Sequence, residues 1–298
     1  MITEKIKNSY LYYTNSQVIH TKEYYDYIVT LLKKWLLNND LNLNVIFGNY
    51  VFDFKNNNRT LKIDIQCEHT LVKEGGRSVN DIIYSNVKNS DGYYLVRIDK
   101  FNYLNSLDYV IEYSLPNIEN IKSCGKFQFF LSKVLYVPPI LYDLNFKNDE
   151  KNNIICLFVK DNNERRTNLL NLLYNTNLPV KTETNCFDKK CLSELYKKSK
   201  ILINVHQTDH HHTFEELRVL PALLNGVIII SEDVPLKDKI PYNEFIVWSD
   251  YDKIVDKVKE VYENYEFYYN KIFVNSNLSE ILMSMTENNN KIFEKLKI

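Results

Sequence analysis

The chain has 298 residues, of which 45% are apolar and 25% charged. This is ordinary globular composition, and the length suits two domains or one large one. Lys and Arg number 37 against 38 Asp and Glu, a net charge of -1, which argues against a general nucleic-acid or membrane-surface binder. The five cysteines are scattered and form no CxxC pair, so a reduced compartment is expected, with neither a disulfide framework nor a zinc ribbon. The N-terminal MITEKIKNSYLYY has no apolar leader core. The apolar-rich stretch 217–230 is broken by Arg218, Pro221 and Asn225 and is too short to span a bilayer. A soluble, cytoplasmic protein is expected.

In chain order, YLYYT (10–14) reads as a strand, 23–37 as a helix with apolar residues at helical spacing, and LNVIFG (43–48) as a strand. YVFDF and LKIDIQ, separated by KNNNRT, predict a hairpin. YYLVRI (93–98) and DYVIEYS (108–114) are further strands. LPNIENIKSCG has Pro in its first turn and Gly at its end, as a short helix should. KVLYVPPI is a strand stopped by Pro138 and Pro139. The polar segment 141–153 reads as a linker. Beyond it, IICLFV, VKTET, KILINV, GVIIIS and EFIVWS alternate with helical segments, the pattern of a doubly wound parallel sheet. The expected division is 1–145, 146–265 and a helical tail, 266–298, packing back on the first domain.

Two loops carry candidate chemistry. HQTDHHHTFEELR holds four histidines and runs from His206 to Arg218. His206 and His210 have the i,i+4 spacing of a zinc pair on a helix. However, Thr213 and Glu216 fit a capping box, which starts the helix after the histidines and leaves them in a loop. That loop is a metal site, a solvated turn or a ligand loop. The last has physical grounds, because ligands of open α/β sheets bind beyond the carboxyl ends of strands and helix N-termini suit phosphate. The second loop, KDNNERRTNLL, puts Arg165 and Arg166 in the first turn of a helix, where cations are unfavourable unless they serve an anion. Pairing with Glu164 or Asp161 is the plain alternative.

Taken together, LFVKDNNERR, SKILINVH, FEELRVLPALLNGVIIISE and YNEFIVWSDYDKIVDKV resemble, in order and spacing, the nucleotide-sugar domain of group 1 glycosyltransferases of the GT-B fold. The narrower likeness is to a subgroup common in large DNA viruses and some bacteria. DYVIEYSLPNIENI and KVLYVPPI extend it into the first half. The resemblance implies two Rossmann-like domains facing a cleft: 1–145 on the acceptor side and 146–265 binding the nucleotide sugar. Asn163, Arg165 and Arg166 would hold the donor diphosphate, and Phe187 would lie by the base. Asn204 and His206 would line the cleft, Glu215 and Arg218 would contact sugar or ribose, and Ser231 and Glu232, matching the Ser-Glu that ends the next strand, would belong to the donor site. The family's paired glutamates are replaced here by Thr213 and Pro221, and its glycine after the first strand by Val159-Lys160. Glu74-Gly75-Gly76-Arg77 is a candidate for the glycine-rich loop of the first domain.

The expected function is metal-independent transfer of a sugar from a UDP- or GDP-linked donor to a glycan, glycoprotein or other hydroxyl acceptor. No other cofactor, nucleic acid or membrane span is expected, and a viral protein would work in the host cytoplasm. Glu68 and His69, in QCEHT, are candidate bases for the acceptor hydroxyl. The alternatives are a non-catalytic glycosyltransferase-like binding module and a zinc-dependent hydrolase centred on His206–His212. An oxidoreductase is disfavoured because no GxGxxG follows any strand.

Overall fold

The computed structural model describes residues 2–14, 19–49, 56–75, 83–89, 92–148, 151–157 and 164–296. The first half comprises β1 (Ile2–Ile6), β2 (Ser9–Tyr13), α1 (Lys22–Asn38), β3 (Leu43–Phe47), β4 (Arg59–Gln66), β5 (Leu71–Val72), β6 (Tyr84–Asn89), β7 (Gly92–Val96), α2 (Phe101–Asn105), β8 (Tyr109–Glu112), α3 (Leu115–Ser123), α4 (Gln128–Leu131) and β9 (Val134–Tyr136). A six-stranded sheet has the order β1-β2-β3-β4-β8-β9 and is parallel from β2 onward.

The hairpin expected at LKIDIQ is not formed by that strand. β4 lies between β3 and β8, parallel to both, and YVFDF lies outside the described residues. All five residues of β3 are buried, which favours a covered parallel sheet over a hairpin with one wet face. YYLVRI joins a separate antiparallel sheet of order β5-β7-β6.

The second half comprises β10 (Asn153–Cys156), α5 (Glu164–Tyr174), β11 (Val180–Thr182), α6 (Lys189–Lys197), β12 (Ser199–Asn204), α7 (Glu216–Leu224), β13 (Ile228–Glu232), β14 (Val247–Ser249), α8 (Ile254–Glu263), α9 (Tyr265–Tyr269) and α10 (Leu278–Asn290). Its sheet is wholly parallel, in the order β11-β10-β12-β13-β14. Counted within this half the order is 2-1-3-4-5, a doubly wound arrangement that reverses direction between β10 and β12 and leaves a crevice at their carboxyl ends. Ile201, Leu202, Ile203 and Ile228, Ile229, Ile230 are fully buried, so successive side chains on both faces are covered. The two α/β halves, each built on a largely parallel sheet, line one common cleft.

The tail returns to the first half. Asn289 Nδ2 donates to Tyr27 Oη and to the Pro138 carbonyl, both at 2.9 Å, and Phe293 packs on Trp35 with ring centroids 5.8 Å apart. No helix among the described residues is long and apolar enough to cross a membrane.

Gly226 ends α7 with φ +66°, and an added Cβ would meet the Phe146 backbone at 3.0 Å. This is a left-handed cap that only glycine fills without strain. Gly226→Ala is expected to destabilise the protein by at least about 1–2 kcal/mol, the usual cost of the left-handed conformation. Thermal unfolding checks this, and an unchanged Tm would contradict it.

Candidate active site

The reversal between β10 and β12 puts the start of α5 and the loop after β12 beside one cavity of about 830 Å3, a size that suits a small-molecule ligand. Six of the residues singled out in the sequence line it: Arg166, Phe187, Glu215 and Arg218 from the second half, and Glu68 and His69 from the first. Arg166, in the first turn of α5, is buried and donates to the Val205 carbonyl at 3.4 Å. Arg218, in the first turn of α7, donates to Asn204 Oδ1 at 3.3 Å.

Arg165, Asn204, His206, Ser231 and Glu232 brace this wall and are not among the lining residues. Arg165 bonds Glu232 with both terminal nitrogens, one at 2.8 Å, and Asp209 through Nε at 2.9 Å. Its guanidinium lies 3.9 Å from the centroid of the Tyr251 ring. Glu232 also accepts from the His206 backbone N–H at 3.0 Å and lies 3.3 Å from His206 Nδ1. Burial alone would raise the Glu232 pKa, but its bonds with His206 and Arg165 outweigh burial and hold it at about 2. Asn204 Nδ2 donates to Ser231 Oγ at 3.0 Å, both residues being buried. Asn163, Val159-Lys160 and the Gly76-Arg77 part of the proposed glycine-rich loop lie outside the described residues.

The opposite wall makes direct contact. His69 Nε2 and Glu215 Oε1 lie 2.8 Å apart, with side chains 21% and 22% exposed. Burial disfavours the imidazolium of His69, but the Glu215 charge and hydrogen bond outweigh it and raise the His69 pKa. For Glu215 burial works upward, and His69, with Arg218 and Arg166 beyond it, brings the carboxyl well below the ordinary carboxylate range. Glu68, by contrast, pairs with Arg97 at 3.1 Å within its own half.

The histidine loop is a clasp between the halves. Lys73 N donates to the His210 carbonyl at 2.8 Å and His212 N to the Leu71 carbonyl at 3.2 Å, with Val72 and His211 bridged antiparallel. His212 Nδ1 meets Tyr94 Oη at 2.6 Å, Nε2 meets the Asp209 carbonyl at 2.8 Å, and the ring stacks on His206 at 5.0 Å. Burial and the neighbouring His206 lower the His212 pKa. His211 Nδ1 meets Thr208 Oγ1 at 2.6 Å. Among the described residues no group of three His, Cys, Asp or Glu side chains is placed to hold a metal ion. His211 Nδ1 and both ring nitrogens of His212 go to protein partners, while His206 Nε2 is buried without one.

The expected capping box is absent. α7 starts at Glu216 with Glu215 at its N-cap and no side-chain cap bond. Thr213 Oγ1 instead donates to Asn117 Oδ1 at 3.5 Å, across to the first half. The segment stays extended because it pairs with β5. Glu216 is buried and accepts from Tyr242 Oη at 2.7 Å. Cys186 and Cys191 also depart from expectation, forming a disulfide while Cys67, Cys124 and Cys156 are free. Asp188 Oδ1 caps the Cys191 N–H at 3.0 Å, a turn that brings the two cysteines together.

Sequence reasoning missed the role of Glu112, at the carboxyl end of β8. Its Oε1 accepts from Tyr113 N at 3.0 Å and from Ser114 N and Asn117 Nδ2 at 3.1 Å. The available signal was an acid inside the apolar run YVIEY. Burial raises Glu112 to about 8 and Glu216 to about 7. Both pKa values lie above the unfolded value, so the folded state holds extra protons and stability falls as pH rises from about 4.5 towards 8. Glu112→Gln should therefore gain more than about 1 kcal/mol over wild type between pH 5 and pH 8, since one pKa unit is worth about 1.4 kcal/mol. Denaturant unfolding at the two pH values checks this. An equal difference at both would contradict it.

No protein-family model matches the chain. Among solved structures, accessory secretory proteins 1, 2 and 3 of Streptococcus pneumoniae align over 90% of this chain and 54% of theirs, at 7% identity and a TM-score of 0.44. A trehalose-6-phosphate synthase studied with bisubstrate glycomimetics aligns over 90% and 77%, at 7% identity and a TM-score of 0.46. A GtfA/B complex bound to UDP and GlcNAc aligns over 90% and 56%, at 14% identity and a TM-score of 0.27. The chain thus spans just over half the length of the first and third. An uncharacterized protein of Acanthamoeba polyphaga mimivirus is 31% identical over 210 residues, which cover 66% of this chain and 70% of the relative. The chain belongs to the same family as that mimivirus protein.

Proposed function

We propose that the protein is a glycosyltransferase that moves a sugar from a nucleoside-diphosphate donor, of the UDP- or GDP-linked kind, to a hydroxyl acceptor without a metal ion. The observation that carries this reading is the meeting of Arg166, Arg218, Glu215 and His69 on one cavity fed by both halves. As the glycosidic bond to the donor breaks, negative charge grows on the departing diphosphate. Arg166 and Arg218 supply fixed positive charge in a partly water-excluded cleft, which is the setting in which such charge lowers a barrier. The chain's own cations take the place of a metal ion, so turnover should persist in EDTA. Loss on chelation with recovery in Mn2+ or Mg2+ would overturn metal independence.

His69 acts as the base for the acceptor hydroxyl. Nε2 is held by Glu215, and Nδ1 is buried without a hydrogen bond, so it is the nitrogen left to take a proton once the acceptor displaces what covers it. Glu215 orients the ring and stabilises the imidazolium formed, as the acid of a catalytic triad does. Because the His69 pKa is raised, the basic form populates only above the ordinary value of 6.5, and activity should rise through a limb on the alkaline side of it. Glu215→Gln should move that limb to lower pH and cut turnover while leaving the far-UV spectrum intact. Full activity with an unmoved limb would remove Glu215 from the mechanism.

Arg166→Ala should weaken binding of UDP or GDP by about 1.5–3 kcal/mol, the value of a hydrogen bond to a charged group. Calorimetric titration reads this, and an unchanged affinity would take Arg166 out of the donor site. One observation favours a second reading, a non-catalytic binding module: Arg165 is engaged by Glu232 and Asp209 and is not presented to the cavity. Slow hydrolysis of a nucleotide sugar would reject that module, while binding without any turnover would support it.

A further inference from the structure

The loop between β11 and α6 carries Phe187 between two linked cysteines. Cys186 is buried and lines the cavity, and Cys191 sits in the first turn of α6. Their Cα atoms are 5.6 Å apart, and the bond closes a six-residue ring, CFDKKC. Phe187 lines the same cavity, and its ring makes a T-shaped contact with that of His20, a residue of the first half, with centroids 4.5 Å apart. The loop is therefore fastened at its α6 end by one covalent bond and one capping bond from Asp188. An aromatic face fixed beside a cavity that holds two arginines is a platform on which a nucleobase stacks, with the phosphates lying towards the cations.

We propose that the Cys186–Cys191 bond positions Phe187 as one wall of a nucleobase subsite, and that a dithiol reductant opens the bond and weakens recognition of the base. This rests on the donor reading above. In the step proposed, one thiolate of the reductant attacks a sulfur of the pair and the Cys186–Cys191 bond breaks, giving a mixed disulfide. The second thiol of the reductant displaces it and the reductant leaves as a cyclic disulfide. Two electrons and two protons end on Cys186 and Cys191 as thiols. The six-residue ring is then open, and the loop keeps only non-covalent restraints such as the Asp188 cap and the His20 contact.

The test compares UDP and GDP with inorganic pyrophosphate, which lacks a base, by calorimetric titration of the whole chain before and after treatment with dithiothreitol. Thiols are counted in parallel in denaturant. The oxidised protein should show three free thiols and the reduced one five, matching the free and total cysteines. On reduction, the Kd of the nucleoside diphosphate should rise roughly tenfold, the size of one base–aromatic contact, and the Kd of pyrophosphate should stay the same. Cys186→Ser with Cys191→Ser should bind like the reduced protein and ignore the reductant. Phe187→Ala in the oxidised protein should lose the same base-dependent part.

An equal Kd in both redox states would overturn the proposal. So would equal losses for pyrophosphate and nucleotide, which mark a general loosening of the fold. So would five free thiols in protein treated with oxidised glutathione. Failure of the donor reading has a different signature: neither nucleotide nor pyrophosphate binds in either state.

Discussion

The contact between His69 and Glu215 joins the end of a first-half strand to the start of a second-half helix, and it lies inside the cavity that both halves line. Each partner depends on the other. Without Glu215, a partly buried imidazole tends towards its neutral form, and without His69 a partly buried carboxylate faces only more distant cations. A pair that is stable only when the halves meet makes the arrangement of the cleft a condition of its chemistry. His69, Arg166 and Arg218 line one space, and this contact joins its two walls.

Around that pair, polar groups are arranged in two layers. Arg166, Arg218, Phe187 and His69 line the cavity, and behind them Arg165, Glu232, His206, Asn204 and Ser231 bond to one another. A lining held by a bonded second layer keeps its geometry when the ligand arrives, so less of the binding energy goes into ordering side chains. The histidine loop extends the same logic to the halves themselves. Its backbone adds to β5 and its rings pack on Tyr94 and on each other. Histidines in a row next to a cleft suggest a metal, but among the described residues these rings are bonded and stacked within the clasp between the halves. Burial and the neighbouring His206 lower the His212 pKa, which favours the neutral ring of His212 in this clasp.

The second-half sheet was legible because strands covered on both faces read as unbroken apolar runs, as KILINV and GVIIIS do. The switch-point loops followed directly from that alternation. The first half was harder to read. LKIDIQ alternates well enough to suggest a hairpin, and nothing local states that its neighbours are β3 and β8. The capping box failed for a related reason: Thr213 and Glu216 have the right spacing, but the partner of Thr213 is Asn117, 96 residues away. Adjacent Arg165 and Arg166 looked equivalent in sequence. Helical geometry turns them about 100° apart, and only Arg166 reaches the cavity. A long-range carboxylate, Glu232, takes the other. The Cys186–Cys191 pairing was invisible because the spacing matches no metal or redox motif, and the turn that joins the two depends on Asp188.

The central claim is that one cavity, built by both halves, receives a nucleoside diphosphate beside His69. The most direct measurement follows the histidine ring resonances by NMR as UDP and GDP are titrated in. At least one of the two should shift the His69 signals saturably, with a single-site dependence on concentration. Signals from His69 that stay in place while either nucleotide binds, or no binding of either at millimolar concentration, would contradict it.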